Sequence, residues 1–168
     1  MEPKLEINRC LSREHKELSH LLQSFRNFLY LHGIGQQPDW SSTHASKLLN
    51  DLRTTFGSAL PRHFAIEEDE LFPLLEGAGL WQLVEILQED HRLIKKLIGT
   101  VKPLLDKAQK NGRLTEQEWQ RMWREGDALV TELSDHAERE EIGLMPELEE
   151  ILEDEQADEI YRRYRASA

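Results

Sequence analysis

His63-Phe-Ala-Ile-Glu67-Glu-Asp-Glu-Leu71-Phe-Pro73 is a stretch that returns later in the chain as His136-Ala-Glu-Arg-Glu140-Glu-Ile-Gly-Leu144-Met-Pro146. Both copies follow the pattern H-x-x-x-E-E-x-x-L-[FM]-P. An α-helix turns by about 100° per residue, so side chains four positions apart lie within about 40° of each other around its axis. Each copy therefore predicts a helix that points one imidazole and one carboxylate in the same direction.

A further histidine precedes each copy and is flanked by charged residues. Arg13-Glu14-His15-Lys16 places its histidine 48 residues before His63, and Glu89-Asp90-His91-Arg92 places its histidine 45 residues before His136. This self-repeat predicts two helical hairpins, each with one lone histidine and one His-x-x-x-Glu pair. Two such hairpins packed face to face would bring four imidazoles and two carboxylates to one point.

Composition limits the class of protein. The 168 residues, 39% hydrophobic and 32% charged, predict a single domain over residues 1–168 that can bury a core. A net charge of -11 disfavours nucleic-acid partners and favours cations. The lone Cys10 suits a reducing compartment, no apolar run approaches the ~20 residues of a membrane span, and the N-terminus does not resemble a signal peptide. We therefore expect a cytoplasmic protein that does not bind membranes.

Apolar residues three and four positions apart predict four long helices. They should run from about residue 8 or 12 to 32, from about 41 to 77, from about 80 to 110, and from 115 to about 146. His15 and His91 stand where this pattern favours leucine. The second helix should continue through Pro61 with a kink, because its apolar stripe stays in phase across the proline.

The end of the chain adds a further predicted helix. Gly143 and Pro146 should end or bend the fourth helix, and an amphipathic helix should follow over about residues 147–165. Short connections favour antiparallel neighbours. The predicted fold is all-α, an up-down-up-down four-helix bundle over about residues 8–149 with an additional C-terminal helix. Trp119, Trp123 and that helix should cover a bundle end rather than form a dimer contact, although monomer and homodimer both stay open.

Buried carboxylates and imidazoles at one depth favour a metal site. One histidine in an apolar stripe is usually a hydrogen-bonded core residue, and one glutamate there often fixes helix register. Two buried carboxylates without a cation would cost several kcal/mol each, and no Arg or Lys occupies the stripes at that level. The predicted metal ligands are His15, His63, Glu67, His91, His136 and Glu140. The other histidines should have structural or solvent roles: His20, His32 and His44.

In these motifs the chain resembles the hemerythrin family, in its widespread form called the HHE cation-binding domain, over about residues 8–149. The resemblance implies a non-haem di-iron centre inside the bundle, with an oxo or hydroxo bridge between two iron ions. Zinc or manganese can occupy such mixed imidazole and carboxylate sites. The implied assignment is His15 and His63 to one iron, His91 and His136 to the other, and Glu67 and Glu140 as bridges.

Lys95 marks a departure from the oxygen-carrying members of the family, which have a histidine one turn after the third-helix histidine. If each iron takes about six ligands, the remaining set leaves about two positions open. That count favours either an extra carboxylate or tyrosine ligand, or a centre open to water and peroxide. Supporting or surface roles are expected for four carboxylates near the ligands: Glu14, Glu68, Glu70 and Glu141.

Three classes of function stay open on these grounds. The first is a protein that binds or senses dioxygen or another diatomic molecule. The second is an enzyme that decomposes peroxide or reduces nitric oxide, with catalytic residues not identified, and the third is an iron-storing or iron-responsive module. Family members that repair iron-sulfur clusters usually carry an extra cysteine-bearing N-terminal region, so the early start of the bundle disfavours that role. The expected partner is a small diatomic or peroxide ligand.

Overall fold

The computed structural model describes residues 3–167. Over this range the chain is helical and contains no β-strand. This confirms the predicted all-α fold. None of the helices in the described range combines the length and the apolarity needed to cross a membrane. The five helices are α1 (Glu6–His32), α2 (residues 43–77), α3 (Trp81–Asn111), α4 (residues 116–151) and α5 (Asp154–Ala166).

The four long helices enclose two apolar cores. Helix α1 contacts α2 and α4, and α3 contacts the same two helices, while α5 packs against α1. One core lies toward the end of α1 that includes Phe25 and Leu29, and the other includes Ile7, Leu11 and residues of α5. A layer of buried histidine and glutamate side chains lies between the two cores. The predicted bundle with a C-terminal helix is therefore observed.

Helices α2 and α4 are interrupted by π turns that share one sequence feature. Each turn ends two residues before a proline, which lacks an N–H and crowds the carbonyl four residues earlier. A π turn admits one extra residue and so relieves this conflict without ending the helix. The turns are Thr55–Ala59 before Pro61, Glu67–Leu71 before Pro73 and Glu140–Leu144 before Pro146.

The π turns explain one correct and one wrong prediction. Helix α2 does continue through Pro61, as predicted, with the N–H of Leu60 bonded to the carbonyl of Thr55. The prediction that a separate helix begins near residue 147 is wrong, because α4 passes Pro146 and continues to Ile151. The break comes at residues 152–153, where the backbone is extended. Helix α1 also begins earlier than predicted, at Glu6.

Of the predicted cover, the two tryptophans lie at one bundle end, whereas α5 packs in the core at the other end. The indole N–H of Trp119 donates to the carbonyl of Gly33 at 3.0 Å, and that of Trp123 donates to the carbonyl of Leu29 at 2.9 Å. Both carbonyls lie at the C-terminal end of α1, and that of Leu29 also accepts the backbone N–H of Gly33 at 2.9 Å. The two tryptophans of α4 therefore fasten this end of α1 to its neighbour.

Gly126 sits where α4 comes close to α1, and this contact generates a stability prediction. A Cβ at Gly126 would lie 2.9 Å from the Phe25 ring. We expect Gly126→Ala to lower the free energy of unfolding by about 1–3 kcal/mol, because the buried ring must move. Urea denaturation measures this change.

Gly99 provides the matched control, since it is an exposed helical glycine with no atom within 4 Å of an added Cβ. Gly99→Ala should raise the free energy of unfolding by about 0.5–1 kcal/mol through helix propensity alone. Stabilisation by both substitutions would refute the close approach of α1 and α4.

Candidate metal centre

All six predicted ligand residues meet between the two apolar cores. His15 comes from α1, and His63 and Glu67 come from α2. His91 comes from α3, and His136 and Glu140 come from α4. None of the six residues is more than 6% exposed, and both glutamates are fully buried. The helices thus bring together the residues that the repeat indicated. Their role as metal ligands stays a prediction at this point.

The six side chains form two overlapping groups that share the glutamates. Within each group the potential ligand atoms lie within 4.8 Å of one another. The Nε2 atoms of His15 and His63 are 3.2 Å apart, and those of His91 and His136 are 3.0 Å apart. Two ligands bound at about 2.1 Å and at right angles to one ion are separated by about 3 Å. The spacing of each imidazole pair therefore suits one metal ion.

Each glutamate directs one carboxylate oxygen to each histidine pair. Glu67 places Oε1 2.9 Å from the Nε2 of His63 and Oε2 3.3 Å from the Nε2 of His91. Glu140 places Oε2 2.9 Å from the Nε2 of His15 and Oε1 3.0 Å from the Nε2 of His136. This division of oxygens is the arrangement expected of carboxylates that bridge two cations.

The four carboxylate oxygens of Glu67 and Glu140 are buried and accept no hydrogen bond. The neighbouring imidazole nitrogens are close enough for ionic attraction, but none of these contacts has the direction of a hydrogen bond to the carboxylate. A buried carboxylate without donors is costly unless a cation compensates it. The donor set of imidazole nitrogens and carboxylate oxygens therefore fits a pair of transition-metal ions such as iron.

The buried carboxylates of the layer also favour positive charge on their neighbours. Burial raises the pKa of Glu140, but His136, His15 and His63 outweigh burial and hold it well below its usual value. Burial lowers the pKa of His136, but Glu140 and Asp90 outweigh this effect and raise it to about 10. The carboxylates thus draw protons to the imidazoles, and a bound metal ion would supply the positive charge in their place.

Every histidine of the cluster is oriented by a carboxylate on another helix. Such an acceptor fixes the imidazole tautomer and leaves Nε2 free to face the metal position. The Nδ1–H groups donate from His15 to Glu141 at 2.8 Å, from His63 to Glu14 at 2.8 Å, from His91 to Glu68 at 2.6 Å, and more weakly from His136 to Asp90 at 3.4 Å.

These acceptors follow a rule that the sequence pattern contained. Each one directly precedes a lone histidine or directly follows a glutamate of the cluster. Supporting or surface roles were expected for Glu14, Glu68 and Glu141, and the structure shows the supporting contacts. Asp90 was not assigned, although it occupies the position in the second repeat that Glu14 occupies in the first.

Other residues near the cluster have the roles expected of structural or surface side chains. Lys95 donates to Glu68 at 2.6 Å and lies over the ring of Phe64 at 5.8 Å, so it does not face the metal positions. Glu70 accepts a hydrogen bond from Arg163. The remaining histidines lie outside the cluster, with His20 and His44 exposed and His32 against Phe28.

One residue of this site was missed altogether. Tyr164, on α5, donates its hydroxyl to Oε2 of Glu14 at 2.6 Å. The repeat offered no signal for it, because Tyr164 lies beyond the second copy and has no counterpart in the first. Only the packing of α5 against α1 brings the phenol to the carboxylate.

A family model described as hemerythrin HHE cation binding domain matches residues 6–148 of the chain, and it matches again over residues 82–167. The first match spans all six cluster residues. The second begins in α3, as expected if the second hairpin repeats the first. No curated protein sequence matches the chain.

The hydrogen bond between His15 and Glu141 generates a prediction about metal affinity. The carboxylate of Glu141 stays ionised because hydrogen bonds from His15 and Ser12 lower its pKa, with burial opposing them. Glu141→Gln removes this charged acceptor and should weaken metal binding about 10–100-fold. Competition with a metal-binding dye measures the affinity.

Glu138→Gln is the control, since Glu138 is exposed on the same helix. It should bind metal like the original chain. Equal affinities for both variants would mean that the hydrogen bond to His15 does not support the site.

Proposed function

Because the chain belongs to the hemerythrin HHE cation-binding domain family, we propose that it holds a carboxylate-bridged pair of iron ions that binds dioxygen or another diatomic molecule. The observation that carries the proposal is the placement of Glu67 and Glu140, each with one buried oxygen beside each histidine pair. Without a cation, these oxygens have no hydrogen-bond donor. A bound iron pair would supply a binding position for a diatomic ligand and the electrons that dioxygen requires.

The surrounding residues hold and insulate such a pair. His15 and His63 would hold one ion, while His91 and His136 would hold the other. The carboxylates behind the imidazoles keep each ring in one orientation and add negative charge near the ions. The apolar cores above and below the layer limit access of water. These features support reversible binding, because limited access of water slows the irreversible oxidation of the centre.

Access for a small ligand is best supported on the side of His15. An α1/α4 cavity of about 320 Å³ is lined by His15, Ser19, Leu22, Leu133 and Ala137, among others. Across Leu18, an α1/α2 cavity of about 210 Å³ is lined by His15 and His63, among others. Since a water molecule takes about 30 Å³ of liquid volume, either space accommodates a diatomic molecule.

The two repeats differ in the size of the side chains beside the lone histidines, and this difference accounts for the α1/α4 cavity. Phe64 stacks on His91 with ring centroids 3.8 Å apart and planes 21° from parallel. The residue at the equivalent place in the second copy is Ala137, which leaves the neighbourhood of His15 unfilled. Lys95, which also lies by Phe64, is matched in the first repeat by the shorter Ser19. Large side chains thus close one half of the site, and small ones leave the other open.

Iron loading tests the proposal. The chain, loaded with ferrous iron under anaerobic conditions, should retain two iron ions by elemental analysis. On exposure to dioxygen it should develop a near-ultraviolet absorption band that reverses on removal of the gas. At free metal near 1,000 times the dissociation constant, the free energy of unfolding should rise by about 4 kcal/mol for each bound ion, and a chelator should reverse the rise.

A peroxide-decomposing enzyme is the second candidate, and it is favoured by one observation. Lys95 stands where oxygen carriers of this family have a histidine, yet it is bonded to Glu68 and supplies no ligand. Two coordination positions would then be open to water or peroxide. Oxygen evolution from peroxide by the iron-loaded chain would favour this enzyme. If the chain retains two irons but shows neither reversible binding nor turnover, an iron-storing or iron-responsive role is favoured.

The small side chain of Ala137 predicts the path of ligand access. Ala137→Phe would fill the α1/α4 cavity beside His15, as Phe64 fills the equivalent space beside His91. We expect azide to associate with the iron-loaded variant about tenfold more slowly, with iron content unchanged. Stopped-flow absorption measures the rate.

Ala128→Phe is the matched control, because Ala128 is exposed on the same helix and does not line either cavity. Its azide association rate should equal that of the original chain. An unchanged rate in Ala137→Phe would place ligand access elsewhere.

A further inference from the structure

We propose that Tyr164 is a positioning residue of the metal centre, acting through Glu14 on His63, so that the C-terminal helix α5 determines how tightly the ion at His15 and His63 is held. The inference rests on the proposed metal centre and extends it to a residue outside the repeated ligand motif. It also gives the two metal positions different affinities.

The contacts form a continuous chain from α5 to the cluster. The hydroxyl of Tyr164 donates to Oε2 of Glu14 at 2.6 Å, and the same oxygen lies 2.8 Å from Nδ1 of His63. The Nε2 of His63 faces Glu67 at 2.9 Å. Movement of the phenol therefore changes both the position and the basicity of the carboxylate that orients His63.

Tyr164 is held firmly enough to perform this role. Its side chain is 2% exposed, within the apolar core that includes Leu11 of α1. The guanidinium of Arg62 lies 4.5 Å from the Tyr164 ring centroid and donates to Oε1 of Glu14 at 3.0 Å. Burial and the bond to Glu14 raise the pKa of Tyr164, so the phenol remains a donor. Both oxygens of Glu14 are thus occupied.

The other half of the site is built differently. Asp90, the counterpart of Glu14, lies 3.4 Å from Nδ1 of His136 and accepts a bond from Arg139 at 2.6 Å. No tyrosine hydroxyl within residues 3–167 is bonded to Asp90. The repeated motif supplies equal ligands to both halves, whereas α5 supports the first half alone. The asymmetry comes from the part of the chain that is not duplicated.

Zinc occupancy at the two positions tests this role within one molecule. Crystals of the full chain grown with limiting zinc would be measured by anomalous diffraction, for the original chain and for Tyr164→Phe. The variant should lose occupancy at His15 and His63 relative to His91 and His136, corresponding to an affinity about 10–100-fold lower at the first position. The ratio excludes a general loss of stability, which would affect both positions equally.

Two further variants complete the design. Asp90→Asn should shift the ratio in the opposite direction, while Tyr161→Phe, which removes a hydroxyl from the same helix, should leave it unchanged. An unchanged ratio in Tyr164→Phe, or equal losses at both positions, would overturn the positioning role while leaving the metal centre intact. An original chain that binds no zinc at either position would overturn the metal centre and this inference together.

Discussion

Two fully buried carboxylates without hydrogen-bond donors impose the constraint on which this structure depends. Glu67 and Glu140 lie between two apolar cores, where an uncompensated negative charge is strongly unfavourable. Four imidazoles face these carboxylates, and further carboxylates orient the imidazoles from behind. This arrangement favours positive charge at two positions, one beside each pair of imidazoles. The rest of the bundle provides walls that keep this charge-dense layer away from water.

Much of this arrangement could be predicted from the sequence because it is encoded twice. The spacing His63-x-x-x-Glu67 fixes a common direction on a helix, and its repetition at His136 and Glu140 indicates facing partners. The residues that the pattern did not reveal depend on packing between helices. Asp90 becomes an acceptor only because α4 brings His136 beside it, and Tyr164 reaches Glu14 only because α5 packs on α1.

The positions at which the two repeats differ indicate how the two halves of the site differ in accessibility. The clustered histidine and glutamate residues are the same in the two halves, but the residues that surround them differ in size and in hydrogen bonding. Phe64 covers His91, whereas Ala137 leaves space beside His15. Duplication of a hairpin would thus supply a pair of equal metal positions, and later changes in neighbouring side chains would make one position accessible and leave the other enclosed.

The π turns give the proline residues a role in setting helix rotation. A π turn that migrated along its helix by one residue would rotate the side chains it passed by about 100° relative to those on either side. Pro73 and Pro146 oppose such migration toward the C-terminus because they have no N–H to exchange between acceptors. Each proline therefore helps to keep a buried glutamate of the cluster at a constant angle to the helix that follows it, so backbone covalent structure contributes to the orientation of the carboxylates along with packing.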